Sequence, residues 1–261
     1  MESTTSTQSL NTAELEQKVK NMYRDVALNP NGQYHFKMGR PLAEMLGYEK
    51  ECLDLIPAAA IESFAGVGYF CDIANFKEGE KVLDLGSGSG MDAFITALKV
   101  GKTGQVTGID MTDEQLEKAR GLAKVANFDN VNFIKAYLEQ LPFPDATFDI
   151  VISNGVINLC PDKEKVFAEI TRVLKPKGRM VIADIVTEQQ LPENITCDSA
   201  LWASCIGGAG HEDTYKRSIE MQGMEVLYVR NNSAYEFISK SAKGASKQYG
   251  VKSVSLFAEK K

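Results

Sequence analysis

"VLDLGSGSGMD", residues 82–92, decides the fold. Val82 to Leu85 has the short, apolar character of a buried strand, and an apolar-periodic helical stretch follows from Asp92 to Val100. Glycines at 86, 88 and 90 stand between them, where a strand must turn tightly into a helix and a ligand must come close to the backbone. Doubly wound α/β sheets bind ligands at such a turn. The dinucleotide fingerprint G-x-G-x-x-G would need glycine at 91, and the chain has Met91 there. Asp84, two residues before the first glycine, would repel a pyrophosphate but attract an ammonium or sulfonium. The loop therefore predicts a cationic, amino-acid-bearing nucleotide rather than NAD.

The pattern repeats outward from this loop. "KVLDLG", "GQVTGID", "VNFIKAYL", "FDIVISN" and "GRMVIADIV" read as strands, with helices over Asp92–Val100, Thr112–Asn127 and Lys163–Leu174 between them. "MEVLYVR" and "VKSVSLFAE" supply two more strands. The prediction is an α/β fold, a doubly wound, mostly parallel seven-stranded sheet with helices on both faces. Thr112 to Gln115 has the form of a capping box. Ahead of the sheet, residues 1–12 are Ser/Thr-rich and read as a disordered tail, and 13–76 as an N-terminal helical cap over the active site. Residues 77–261 form the nucleotide-binding domain.

Composition narrows the function. With 44% hydrophobic and 25% charged residues the 261-residue chain is of ordinary globular type, and a net charge of −6 argues against a nucleic-acid surface. Its apolar runs are too short for a membrane span, and the N-terminus lacks the basic start and apolar stretch of a signal peptide, so the cytoplasm is expected. Five cysteines without a CxxC pair, and two histidines, predict neither a disulfide framework nor a metal site. Oligomeric state is not legible.

Further acids complete the nucleotide site. Asp110 closes the second strand, twenty residues after Gly90, where an acid accepts ribose hydroxyl protons, with Met111 beside it. Tyr137 and Leu138, at the end of the third strand, can flank an adenine.

With these residues the chain resembles the class I S-adenosylmethionine-dependent methyltransferases over about residues 75–260. The resemblance implies S-adenosyl-L-methionine as cofactor: Gly86, Ser87, Gly88 and Gly90 at its methionine part, Asp110 at the ribose, and Tyr137 and Leu138 at the adenine. "LGYEKECLDLIP", "SNGVINLCPDK" and "LWASCIGGAG" carry the likeness further, in order and spacing, to the arsenite methyltransferase group. That group holds arsenic(III) with cysteine thiolates, soft donors for a soft centre. The resemblance places those cysteines ahead of the sheet and at the positions of Val67, Gly155 and Cys205. Of these only Cys205 is a cysteine here, and Cys71 and Cys160, four and five residues away from the two vacated positions, read as inert thiols.

The acceptor is therefore read as a small soft nucleophile, a thiol first, which needs little base catalysis near neutral pH. Asn154, Gly155, Val156 and Ile157 are expected to line an apolar pocket, with Asn154 orienting cofactor or acceptor through its amide. In the 31–41 loop His35 is a candidate base and Arg40 a candidate clamp for a carboxylate. Tyr23 matches a family tyrosine near the cofactor's methionine end. Glu139, Asp162 and His211 read as strand-end, cap and surface residues. Three other readings stay open: arsenite with a reduced cysteine set, a C- or O-methyltransferase of a larger apolar acceptor, and a sensor without chemistry.

Overall fold

The computed structural model describes residues 10–261. Eight strands form one sheet: β1 Lys81–Leu85, β2 Gln105–Asp110, β3 Val131–Lys135, β4 Phe148–Asn154, β5 Leu174–Thr187, β6 Gly210–His211, β7 Met224–Asn231 and β8 Lys252–Lys260. Their order is β3-β2-β1-β4-β5-β8-β7, with two-residue β6 paired to β5 off this path. β1 to β5 run parallel, while β8 runs antiparallel to both β5 and β7. All seven strands anticipated from the sequence are present, and β6 is additional.

The order reverses at β1, where β2 lies on one side and β4 on the other. That is the switch point at which the loops after neighbouring strands diverge and leave a crevice. Asp84 pairs with Gly108 on one side and Ile152 on the other, so the ends of β1, β2 and β4 converge on one spot. β1 is buried from Val82 to Leu85 because helices cover both faces, which gives its unbroken apolar run.

Ahead of the sheet, a helix spans Thr12–Leu28. Asn11 caps it, its side chain accepting from the Glu14 N–H at 3.1 Å. The tail expected over 1–12 thus ends early: Asn11 and Thr12 begin a capped helix and Leu10 packs on the core, while residues 1–9 lie outside the described part. Leu15, Val19, Val26 and Ala27 give this helix its buried side. No basic residue stands in its last turn; Lys118 instead donates to the Ala27 carbonyl at 3.2 Å and to Ser63 at 2.8 Å.

A second helix, Gly39–Leu46, and three short ones, Lys50–Leu53, Ala58–Glu62 and Cys71–Ala74, follow before β1. One apolar cluster joins Leu15, Leu42, Phe64 and Phe70 to Phe94, Ile150 and Val181 of the sheet layer. The other face of the sheet carries its own cluster, including Phe167, Ile170 and Leu256.

The capping box is not made. The Thr112 side chain accepts nothing from its helix; its N–H instead donates to Asp110 at 2.8 Å. Gln115 is drawn away: its Nε2 donates to the Tyr23 carbonyl at 2.8 Å, and its Oε1 accepts from Ser89 at 2.6 Å. The tertiary site outcompetes the local motif.

Candidate active site

A cavity of about 580 Å³ opens at the switch point, within the range of small-molecule sites. Its floor is the glycine loop, its far wall the ends of β2 and β4, and its roof the Thr12–Leu28 helix, which contributes Leu15, Glu16, Val19 and Tyr23. Asp84, Gly86, Ser87, Gly88, Asp110, Met111, Tyr137, Leu138, Asn154 and Tyr23, all named from the sequence, line it.

Gly86 shows why the loop needs glycine. Its φ is +66°, and a Cβ there would stand 2.4 Å from a Val156 methyl. Gly90 is different. It does not line the cavity; a Cβ on it would run into Phe133 at 2.7 Å, so it lets the Met91–Val100 helix close onto the sheet.

Acidic groups dominate the floor. Asp84 is buried with Oδ2 lacking any partner, and burial first, then the nearby Asp92 and Asp110, pushes its carboxyl well above the usual range. Asp110 is anchored by the N–H groups of Gly88 at 3.0 Å and Thr112 at 2.8 Å. Ser87 Oγ also lines the cavity, buried and unpartnered. Buried polar atoms left unpaired are costly, so this lining is built for a polar ligand. A cation beside Asp84 and hydroxyls near Asp110 suit S-adenosylmethionine, with ammonium or sulfonium at the first and ribose at the second. The residues fit the cofactor.

Several acceptor-side expectations need correction. Asn154 lines the cavity, but its amide is spent on the protein: Oδ1 accepts from the Val67 N–H at 2.8 Å, while Nδ2 donates to the Gly68 carbonyl and to Asp92, both at 3.0 Å. It pins the 66–68 turn to the end of β4 rather than orienting a ligand. Gly155, with φ +74°, lies off the cavity, and a Cβ there would sit 3.1 Å from Val67. Ile157 is fully buried in the turn below the wall.

Arg40 is held by Glu44 at 2.8 Å and Asp54 at 2.6 Å, away from the cavity, so it is not placed as a clamp. His35 packs edge-on against Phe36 and hydrogen-bonds to the backbone of Ala203. Its Nε2 is buried without a partner, and burial holds its pKa below the usual value.

Cys205 does not line the cavity either. It is buried with φ +61°, a strained backbone for a side-chain-bearing residue, and burial pushes its thiol up to about 12. The Tyr23 and Tyr235 phenols both feel it. Cys160, read as inert, is the cysteine on the cavity wall; burial raises its pKa as well, and Sγ makes a weak contact with the Val156 carbonyl at 3.8 Å. Among the described residues no His, Cys, Asp and Glu cluster could hold a metal ion.

Two residues of the site escaped the sequence. Asp92 lines the cavity behind Asp84, accepting from the Tyr48 hydroxyl at 2.6 Å, and burial lifts its pKa to about 6. Tyr48 is buried on the far side of that bond. Asp92 directly follows the glycine loop, where an acid is also a common helix starter; Tyr48 has no local signal.

A family model described as "Methyltransferase domain" matches residues 76–223. An arsenite methyltransferase of Halobacterium salinarum is 36% identical over 202 residues, 76% of this chain and 50% of that protein. The human arsenite methyltransferase is 44% identical over 140 residues, 49% of this chain and 36% of its own. The crystal structure of an arsenic(III) S-adenosylmethionine methyltransferase from Chlamydomonas reinhardtii superposes with a TM-score of 0.69 at 33% identity, covering 80% of this chain and 72% of that one. The fold and the acid-lined glycine loop define a class I methyltransferase site. The chain belongs to the S-adenosylmethionine-dependent methyltransferase family and, within it, resembles the arsenite methyltransferase group. S-adenosylmethionine is the cofactor of this family. The chain spans half or less of the length of these curated relatives.

Proposed function

We propose that this protein transfers a methyl group to a small soft nucleophile, a thiol in the first instance. S-adenosylmethionine, when bound, supplies a methyl on a sulfonium whose positive charge is lost as the methyl leaves. Asp84 and Asp110 would hold its ammonium side and ribose, and the Thr12–Leu28 helix, which roofs the cavity, would keep water out. In this reading 13–76 serves as the cap, 77–261 carries the cofactor, and the protein works in the cytoplasm; among the described residues no helix is long and apolar enough to cross a membrane.

The observation that carries the acceptor class is the wall it would meet. Val156, Leu159 and Cys160 form an apolar stretch of the cavity wall beyond the glycine loop; Glu139 and Asp162 border it, and among the described residues no histidine lines the cavity. His35, the sequence's candidate, is outside the cavity. Such a site suits an acceptor that reaches its nucleophilic anion near neutral pH with little help, as a thiol does through its minor thiolate fraction.

Arsenite is the second reading, favoured by the names of the relatives, although Cys205, the one cysteine at a position the resemblance implies, lies off the cavity. One thiol does not complete a three-coordinate arsenic site, so arsenic would enter carrying exogenous thiolates. Methyl transfer from labelled S-adenosylmethionine to small thiols, hydrosulfide, arsenite with glutathione, and apolar phenols separates the readings. A methylated thiol with arsenite inert supports the first, methylated arsenic the second. Turnover only on phenols overturns both, and binding without any turnover leaves a sensor.

A further inference from the structure

Beneath the acceptor wall lies a second buried polar network, separate from the Asp92–Asn154–Tyr48 one on the cofactor side. Asp184, near the C-terminal end of β5, is 1% exposed, and its carboxylate is bonded from within the protein. Oδ2 accepts from the Asn158 N–H at 2.9 Å and the Tyr215 hydroxyl at 2.6 Å. Oδ1 accepts from Asn158 Nδ2 at 2.5 Å and the Ile185 N–H at 2.8 Å. Asn158 thus receives two bonds' worth of anchoring from one carboxylate, in the Ile157–Leu159 turn.

The other end of that turn is held by a lysine. Lys163 Nζ donates to the Asn158 carbonyl at 3.3 Å and the Cys160 carbonyl at 2.9 Å, and sits 4.7 Å from the Trp202 ring. Trp202 is fixed in turn by its Nε1 bond to the Thr196 carbonyl at 2.7 Å. Gly208 has to be glycine for this: a Cβ would fall 1.8 Å from the Asn158 carbonyl oxygen.

Val156, Leu159 and Cys160 face the cavity from this turn, and Val156 leans on Gly86. A buried carboxylate and a partly buried ammonium are costly to keep beside an apolar core. Their return is that they fix a short turn which cannot hold its own shape.

We infer that Asp184, Asn158 and Lys163 are positioning residues that set the acceptor wall through the Val156–Cys160 turn. The inference rests on the methyltransferase reading for its kinetic consequence, but its geometry does not. With the turn released, Val156 leaves Gly86 and the wall loosens, so an acceptor meets the methyl out of line.

The test uses the full chain with Lys163→Met, Lys163→Arg and the milder Tyr215→Phe. The first readout is alkylation of Cys160 by N-ethylmaleimide, followed by peptide mass spectrometry. Loss of the Lys163 cation raises the thiol pKa further, which by itself slows alkylation. A tenfold faster reaction at Cys160 in Lys163→Met, with Cys205 unchanged and S-adenosylhomocysteine binding within twofold, supports the inference. Lys163→Arg should return the rate to within threefold of the parent. Tyr215→Phe should fall between. The second readout is acceptor turnover, where Lys163→Met should lose tenfold or more in kcat with a smaller change in cofactor KM. Cys160 alkylation at the parental rate in both Lys163→Met and Tyr215→Phe overturns the inference. A parent protein that methylates nothing overturns the proposed function while the alkylation result still decides this one.

Discussion

Val67 occupies the space a side chain on Gly155 would need: a Cβ at 155 would stand 3.1 Å from a Val67 methyl. These are two of the positions at which the resemblance to the arsenite methyltransferase group implies cysteine, and here one holds a branched side chain and the other none. Adding a side chain at 155 costs twice, through the left-handed φ of +74° and through the contact. Gly155→Cys should therefore lose about 1–2 kcal/mol of stability from the backbone term alone, lowering Tm by about 2–4 °C per kcal/mol. Val67→Cys together with Gly155→Cys relieves the contact and, with Cys205, restores three cysteines. The double variant should gain arsenite methylation over the parent, read as methylated arsenic by mass spectrometry. Equal arsenite turnover in both would separate the metalloid site from these positions.

Asp110 shapes the loop as well as the ribose site, since it accepts from the Gly88 N–H. Asp110→Ala removes a charge-assisted acceptor, worth about 1.5–3 kcal/mol of cofactor binding. Calorimetry with S-adenosylhomocysteine should show roughly a tenfold or larger rise in Kd. An unaltered Kd would contradict the ribose assignment.

The strands were legible because their chemistry is local. β1, β4 and β5 are runs of Val, Ile and Leu bounded by turns, and the Asp84–glycine–Asp110 spacing fixes which ends meet. The acceptor side was legible only in its motif. Asn154 reads as a ligand contact because it follows a strand at the switch point, yet its partners Val67, Gly68 and Asp92 come from segments 62 to 87 residues away. Arg40 and His35 look available in a loop because Glu44, Asp54 and Ala203 are chosen by tertiary packing. Cys160 was dismissed on sequence distance, but the turn after Ile157 swings it onto the wall.

Tyr137 ties the roof to the adenine end. Its hydroxyl donates to Glu16 at 2.9 Å and accepts from Lys20 at 2.6 Å, both on the Thr12–Leu28 helix. The three groups are partly exposed, so the latch contributes about 0–1 kcal/mol to stability. Tyr137→Phe should leave Tm nearly unchanged but speed cofactor exchange several-fold, with faster hydrogen exchange in the Thr12–Leu28 helix. Unchanged exchange and unchanged off-rate would show that the roof is held elsewhere, by Gln115 and Lys118.

Asp92 should make cofactor binding sensitive to pH. Burial raises its pKa to about 6, against the Tyr48 hydroxyl and Asn154 amide, which donate to it and pull it down; Asp84 and Asp110 are the other carboxyl groups of the cavity floor. For folding the sign is that of a raised carboxyl: the stabilisation from holding the proton is present below the unfolded pKa and is lost as pH rises through about 6. For binding the sign reverses. A cation placed in the cavity favours the ionised carboxylate, so binding expels a proton when pH is below about 6. Affinity for S-adenosylmethionine should climb as pH goes from 5 to 7. Calorimetry in buffers of different ionisation enthalpy should show proton release at pH 5.5 that is smaller in Asp92→Asn. A flat affinity profile with no proton release in the parent would mean the cation is held away from Asp92 and Asp84.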